Sequence, residues 1–182
     1  KLIDPNLKTA IPVNMELLFN FLTFLIIIIP FHQGAVRHLY ATYVEGGGST
    51  RIKDGALAVD FLLLFFQACI FVAMSCLILN TEQFTNMLMV LLIVDCVWGV
   101  LAKLAFTGAQ AQWAETKWAI INFIAFILIY AAATFGPPLL GGWNGTMQKI
   151  VCLLAFARTV ADYSTSWSFY YPAKEPKPEA VS

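Results

Sequence analysis

Long apolar runs separated by short polar segments are the feature of this sequence that most constrains its fold. The runs cover residues 14–39, 56–79, 84–106 and 117–135, followed by a shorter and more polar run at 147–163. A helix of about 20 apolar residues crosses the hydrocarbon core of a bilayer, which is about 30 Å thick. The sequence therefore predicts an all-α fold, a polytopic membrane helix bundle of four or five transmembrane helices.

The composition excludes several other classes of protein. Hydrophobic residues make up 59% of the 182 residues and charged residues 12%, whereas soluble domains carry about 25% charged residues. The formal net charge is zero. These values argue against a disordered chain, against a soluble enzyme with a solvated shell and against direct binding of nucleic acid by a basic surface.

The chain divides into three parts. Residues 1–13 form a polar N-terminal segment, 14–166 the transmembrane bundle, and 167–182 a Pro-rich cytoplasmic tail that we expect to be disordered. Within the bundle, we expect a flexible Gly-rich loop at 40–55 and a polar loop at 107–116. We expect Pro30 to loosen the first helix and Gly136-Pro137-Pro138 to end the fourth.

Whether 147–163 crosses the bilayer or lies at its interface is left open by the sequence. Five crossings with the N-terminus outside put eight Lys and Arg residues on the inner side and three on the outer, and four crossings put five inside and six outside. Inner loops of membrane proteins are rich in Lys and Arg, which favours five crossings. Arg158 within so short a run favours the interfacial helix.

The tight turn between the second and third runs fixes which of their residues share a depth. Residues at equal distance from the turn are Asp60 and Lys103 near the cytoplasmic end, and Gln67 and Asp95 near the midplane. Charged groups inside a bilayer are costly and pair with one another. We therefore expect an ion pair between Asp60 and Lys103 and a hydrogen bond between Gln67 and Asp95.

Two roles remain open for Asp95. In an apolar environment we expect it to be neutral and bonded to Gln67, where it would hold two helices together. A carboxyl group near the midplane is also the kind of residue that lines an ion or proton path.

A second set of polar residues is expected in one layer on the cytoplasmic side: His32, Arg37, His38, Arg158 and Asp162. Arg158 and Asp162 are four residues apart and can pair along one helix. The layer is either a network that anchors helix ends, or the mouth of a pore or a docking surface for a soluble protein. Its two histidines would make it sensitive to pH near neutrality.

The sequence indicates no cofactor and no catalytic or metal site. Its four cysteines lie inside apolar runs without a CxxC spacing, and its two histidines lie six residues apart in one segment. Two haem ligands from one such segment cannot face each other, and no nucleophile has a base at a workable spacing. We therefore expect a protein that is not an enzyme.

Two functions fit such a chain. The first is an integral membrane subunit that anchors or senses for a larger complex, docking a soluble cytoplasmic protein at its polar face. The second is a homo-oligomeric ion channel or pore-like effector, with Asp95 or the layer of His32, Arg37 and His38 lining the path. We expect a homo-oligomer in the bacterial inner membrane, and a bacterial stress or defence system is a natural setting.

Overall fold

The computed structural model describes residues 14–45, 56–105 and 109–172 of the chain. These residues form five α-helices and contain no strand: α1 (Met15–Leu39), α2 (Ala56–Cys76), α3 (Thr81–Ala105), α4 (Ala109–Leu140) and α5 (Gly145–Tyr170). A π-helical turn, Tyr40–Glu45, continues α1. The predicted helical bundle is confirmed.

Four helical stretches among the described residues are long and apolar enough to cross a membrane: Met15–Val44, Leu57–Cys76, Thr81–Leu104 and Glu115–Leu140. The chain is therefore a multi-pass membrane protein. α5 is as long as α1 but more polar, since its inner face carries Gln148, Arg158 and Asp162.

Asparagine side chains cap the N-termini of two of the helices. The Asn14 side chain accepts hydrogen bonds from the backbone N–H groups of Glu16 and Leu17. Asn144 does the same for Thr146 and Met147 at the start of α5. Each cap satisfies N–H groups that have no partner within their own helix.

The predicted end of α4 at residues 136–138 is wrong. α4 continues through Pro137 and Pro138 to Leu140, because the fixed φ of proline, about −65°, is itself helical. The helix stops where Gly141 and Gly142 take positive φ values of 76° and 113°. The N–H of Gly142 then donates to the carbonyl oxygen of Pro137 at 2.8 Å, an arrangement common at helix C-termini.

Three more predicted boundaries are wrong. The predicted loop 40–55 starts too early, because residues 40–45 form the π-helical turn after α1. α4 begins at Ala109, inside the predicted loop 107–116, because the residues there are mostly Ala, Gln and Glu, which favour helix. α5 extends to Tyr170, so residues 167–170, predicted to be part of a disordered tail, are helical. Residues 1–13, 46–55, 106–108 and 173–182 lie outside the described part of the chain.

The helices alternate in direction, and α5 packs between α1 and α4. At one end of the bundle, a Cβ atom added to Gly145 would lie 3.5 Å from the Cβ of Met15, and at the other end Gly34 lies beside the Tyr170 ring. α5 therefore runs alongside α1 for most of its length. This geometry favours the fifth span over a helix lying flat across the end of the bundle.

The core and the outer surface are both apolar. Buried residues from several helices form the main core, among them Ile27, Met74, Leu88 and Ile129. Large apolar side chains such as Phe65, Val72 and Phe123 point outward and are exposed. An outer surface of this kind suits contact with lipid rather than water.

Candidate functional site

The first buried polar group lies where α1, α2, α3 and α4 come together. The His38 Nε2 atom lies 3.0 Å from Asp60 Oδ2, and its Nδ1 atom lies 3.4 Å from Glu115 Oε1. The imidazole ring stands edge-on to Trp98, with ring centroids 4.9 Å apart. We call His38, Tyr43, Asp60, Trp98 and Glu115 the His38 cluster.

Asp60 accepts hydrogen bonds from three different elements. Tyr43 of the π-helical turn donates through its hydroxyl at 2.8 Å, and Trp98 of α3 donates through Nε1 at 2.7 Å. His38 supplies the third contact. Both oxygens of this buried carboxylate are therefore hydrogen-bonded, which offsets the cost of removing its charge from water.

The predicted ion pair between Asp60 and Lys103 is wrong. Asp60 is buried among the groups just described, and Lys103 is exposed near the end of α3. The two residues were expected to share a depth, but depth alone does not make them face each other. Each four-residue step along a helix turns about 40° past a full turn. Residues spaced by four along α3 therefore turn gradually away from α2, so that Asp95 faces α2 and Lys103, eight residues later, does not.

The second buried polar group lies deeper in the bundle. Gln67 Nε2 donates to Asp95 Oδ1 at 2.9 Å, which confirms the predicted hydrogen bond between α2 and α3. Asn122 of α4 donates to the other oxygen of Asp95. The side-chain oxygen of the same Asn122 accepts from Arg158 Nε at 2.7 Å, so a single amide links Asp95 to Arg158.

Arg158 also pairs along its own helix, as the four-residue spacing predicts. Its Nη1 atom donates to Asp162 Oδ2 at 3.1 Å, and its guanidinium lies over the Phe31 ring, 4.9 Å from the centroid. The Tyr170 hydroxyl lies 2.9 and 3.1 Å from the two oxygens of Asp162. We call this second group the Arg158 cluster; its members are Gln67, Asp95, Asn122, Arg158, Asp162 and Tyr170.

A small cavity and an aromatic stack lie between the two clusters. The cavity has a volume of about 20 Å³, and Gly34, Gln67, Asp95, Trp98 and Arg158 are among its lining residues. That volume holds about one water molecule. Trp98 stacks on Trp118 with centroids 5.8 Å apart, and Trp118 stacks on Tyr170 at 6.1 Å.

The expected single polar layer is therefore two separate clusters, and not all of its predicted members belong to them. His32 is exposed on α1, because it lies on the opposite side of the helix from Gly34 and His38. Arg37 donates from Nε to the backbone oxygen of Phe169 at 2.9 Å. It thus ties the end of α1 to the end of α5.

The end of the bundle that holds Arg37, Lys103 and Lys117 is named the basic end. Lys117 Nζ donates to the Thr165 carbonyl oxygen at 2.9 Å, so α4 and α5 are also tied together there. The His38 cluster lies just inside this end.

The buried charges do not balance. Among the described residues, the buried acids are Asp60, Asp95, Glu115 and Asp162, and the buried bases are His38 and Arg158. Buried carboxyl groups therefore outnumber buried basic groups in the interior of this part of the chain. No group of three or more His, Cys, Asp or Glu side chains in the described part of the chain is arranged to hold a metal ion.

Sequence reasoning missed several members of the clusters. Glu115 falls in the predicted loop 107–116, although the helix-favouring residues before it indicate that α4 starts earlier. Asn122 was not singled out. The short turn between α4 and α5 brings Asn122 within about one and a half helical turns of the depth of Arg158. No sequence signal pointed to Tyr43 or Tyr170.

Comparison of this chain with protein-family models, with curated proteins and with solved structures gives no match.

Proposed function

We propose that the chain is a non-enzymatic integral membrane subunit that anchors or senses for a larger complex. Its basic end, in this proposal, docks a soluble protein in the cytoplasm. The observation that carries the proposal is that the buried ionisable side chains contact polar partners within their own chain. In this proposal the buried polar groups hold the helices together. Other molecules bind at the ends of the bundle or at its lipid-facing surface.

The proposed topology has five crossings, with the basic end in the cytoplasm. Arg158 and Asp162 make α5 polar, but both are buried in the bundle. The outward face of α5 carries Leu153, Phe156 and Val160, all exposed, and these suit contact with lipid tails. The distribution of Lys and Arg supports the same orientation. We place the protein in the bacterial inner membrane.

The channel alternative has less support from this geometry. Asp95 is 6% exposed and bonds to Gln67 and Asn122 of its own chain, so it does not present its carboxyl group to a neighbouring copy. The cavity beside it has space for about one water molecule. Assembly into a homo-oligomer remains part of the proposal, because the outer surface is apolar on several helices.

A matched pair of charge reversals tests the docking end. Lys103→Glu changes an exposed lysine at the basic end, and Lys149→Glu makes the same change at the opposite end. Each tagged variant would be isolated from its own membranes in a mild detergent, with the accompanying proteins quantified by mass spectrometry. We expect Lys103→Glu to lose a soluble protein that the wild type and Lys149→Glu retain. Equal recovery with all three would contradict docking at the basic end.

Ion flux in liposomes tests the alternative. We expect the purified chain to add no flux above that of empty vesicles. A flux that Asp95→Asn abolishes would contradict the subunit proposal and support the channel.

A further inference from the structure

We propose that the small cavity between the two clusters is a binding site for one water molecule, which is a fixed part of the structure. The water accepts hydrogen bonds from Trp118 of α4 and Arg158 of α5, and donates to Asp95 of α3. It thereby links three helices through one molecule. The inference goes beyond the proposed function, because it concerns groups inside one chain and needs no docking partner.

The indole N–H of Trp118 is the first argument. The side chain is 4% exposed, and its Nε1 atom has no hydrogen-bond partner among the described residues. An indole N–H can only donate, and a donor left unpaired away from water is costly. A buried tryptophan usually has a partner for this group, so we looked for a partner other than the side chains around it.

The edge of the indole that carries the N–H borders the cavity. Trp118 and Gly34 are both lining residues, and a Cβ atom added to Gly34 would lie 3.9 Å from Cζ2 of Trp118. A single ring carbon separates Cζ2 from Nε1. The rings of Trp98 and Tyr170 stack on the indole, whereas the N–H lies in the plane of its own ring. A molecule in the cavity is therefore in a position to accept from Nε1.

The volume and the wall of the cavity suit water. About 20 Å³ holds roughly one water molecule, which needs two to four polar partners. The Arg158 guanidinium has five N–H donors, and two of them donate to described residues, one to Asn122 and one to Asp162. Each carboxyl oxygen of Asp95 accepts one hydrogen bond from an amide and can accept another.

A wall that contains both donors and acceptors favours water over an ion. A hard cation needs several oxygen ligands, and the N–H groups of Trp118 and Arg158 provide none. An anion would meet the carboxyl oxygens of Asp95 and Asp162, which also line the cavity and whose lone pairs repel it. Water both accepts and donates, so one molecule satisfies Trp118, Arg158 and Asp95 together.

One aromatic ring competes with water for the N–H of Trp118. Phe169 stands edge-on to the indole, with ring centroids 5.1 Å apart. A hydrogen bond from an N–H to a ring is weaker than one to an oxygen atom. We therefore expect the N–H to bond to water, and the experiment below distinguishes the two partners.

Nuclear magnetic resonance tests the proposal on the full chain in lipid nanodiscs, with ¹⁵N in the indole groups of its five tryptophans. We expect magnetisation to pass from a long-lived water molecule to the N–H of Trp118. Trp98 is the matched control, because it is also 4% exposed but its Nε1 atom donates to Asp60 at 2.7 Å. Trp98→Phe and Trp118→Phe assign the two signals.

Each of these two rings has a tyrosine nearby, which controls for a signal relayed through a hydroxyl group. Tyr43 donates to the same carboxyl group as Trp98, and Tyr170 stacks on Trp118. A relayed signal would appear at both rings, whereas bound water gives a signal at Trp118 alone. Equal signals at both rings would overturn the proposal. So would the absence of a signal at Trp118, in favour of Phe169 as the partner of the N–H.

A density map that resolves ordered water is a second test and needs no substitution. We expect a peak within hydrogen-bonding distance of Trp118 Nε1 and of the Arg158 guanidinium. Replacing chloride by bromide, or sodium by rubidium, should leave that peak unchanged. The absence of a peak would overturn the water site, and a peak that strengthens with either heavier ion would overturn it in favour of an ion site.

Discussion

Asp60 links α2 to α1, to the π-helical turn after α1 and to α3. It accepts hydrogen bonds from His38, Tyr43 and Trp98, and asparagine would remove the charge that faces His38. Removing one partner of a buried ion pair costs about 3–5 kcal/mol. We expect Asp60→Asn to lower the free energy of unfolding by about that amount, measured by titrating the protein in mixed micelles with a denaturing detergent.

Lys103 provides the control for this prediction. It is exposed and makes no ion pair with Asp60, so Lys103→Leu should change the free energy of unfolding by less than about 1 kcal/mol. The double variant should match Asp60→Asn alone. A double variant more stable than Asp60→Asn would show that the two residues do interact, contrary to the structure.

Arg158 and Asp162 should behave as a coupled pair. Arg158→Leu leaves Asp162 with Tyr170 as its donor and removes the donor to Asn122. Each single change to leucine should destabilise the protein strongly, because it leaves a buried charge without its partner. The double change should cost less than the sum of the two singles, with a coupling of about 0.5–3 kcal/mol in a double-mutant cycle. Additive effects would show that the pair is not formed.

Two glycines test how closely the helices approach. A Cβ atom at Gly99 of α3 would lie 2.9 Å from the backbone oxygen of Glu115 and 3.1 Å from the Cβ of Ala119. Backbone atoms cannot move aside as a flexible side chain can. We expect Gly99→Ala to push α3 and α4 apart and to destabilise the protein by about 1–3 kcal/mol.

Gly34 is the matched control on α1. A Cβ atom there would lie 3.5 Å from the Tyr170 hydroxyl, which is an ordinary contact. Gly34→Ala should therefore be neutral or slightly stabilising, because alanine favours helix over glycine. If both variants lost the same stability in the same unfolding assay, close packing of α3 on α4 would not be the cause.

The turn between α2 and α3 shows what the sequence predicts at the level of elements. The turn is short, so it fixes relative depth, and Gln67 and Asp95 meet because both also face the neighbouring helix. Lys103 lies at the depth of Asp60 but does not face α2, because residues spaced by four along α3 turn gradually away from that helix. The depth of a residue in the bundle can be counted along the chain. The helix that its side chain faces depends on how its own helix is rotated about its axis.

The start of α4 shows what local reasoning misses. Glu115 looks like part of a polar loop, yet it lies in the seventh position of a helix that begins at Ala109 and is buried against His38. Its burial depends on the close approach of α3 and α4 at Gly99 and on the position of α1. Neither is visible in the residues next to Glu115.

For the whole molecule, the fold class was predictable and the helix neighbours were not. A bilayer admits helices whose backbone groups are all bonded internally, so length and apolar composition predict a bundle. Apolar residues that face lipid resemble those that face another helix. The sequence therefore does not predict that α5 packs between α1 and α4. For the same reason it does not predict the partners of Arg158 on other helices.

The side of the membrane on which each terminus lies tests the central claim most directly, namely that five crossing helices enclose the two polar clusters. α1 begins at the end of the bundle opposite the basic end, and α5 finishes at the basic end. Reporter fusions at residues 1 and 182 that are active on only one side of the membrane would locate both termini. We predict a C-terminus in the cytoplasm and an N-terminus on the other side. Both termini on the same side would mean that α5 does not cross, and would contradict the account.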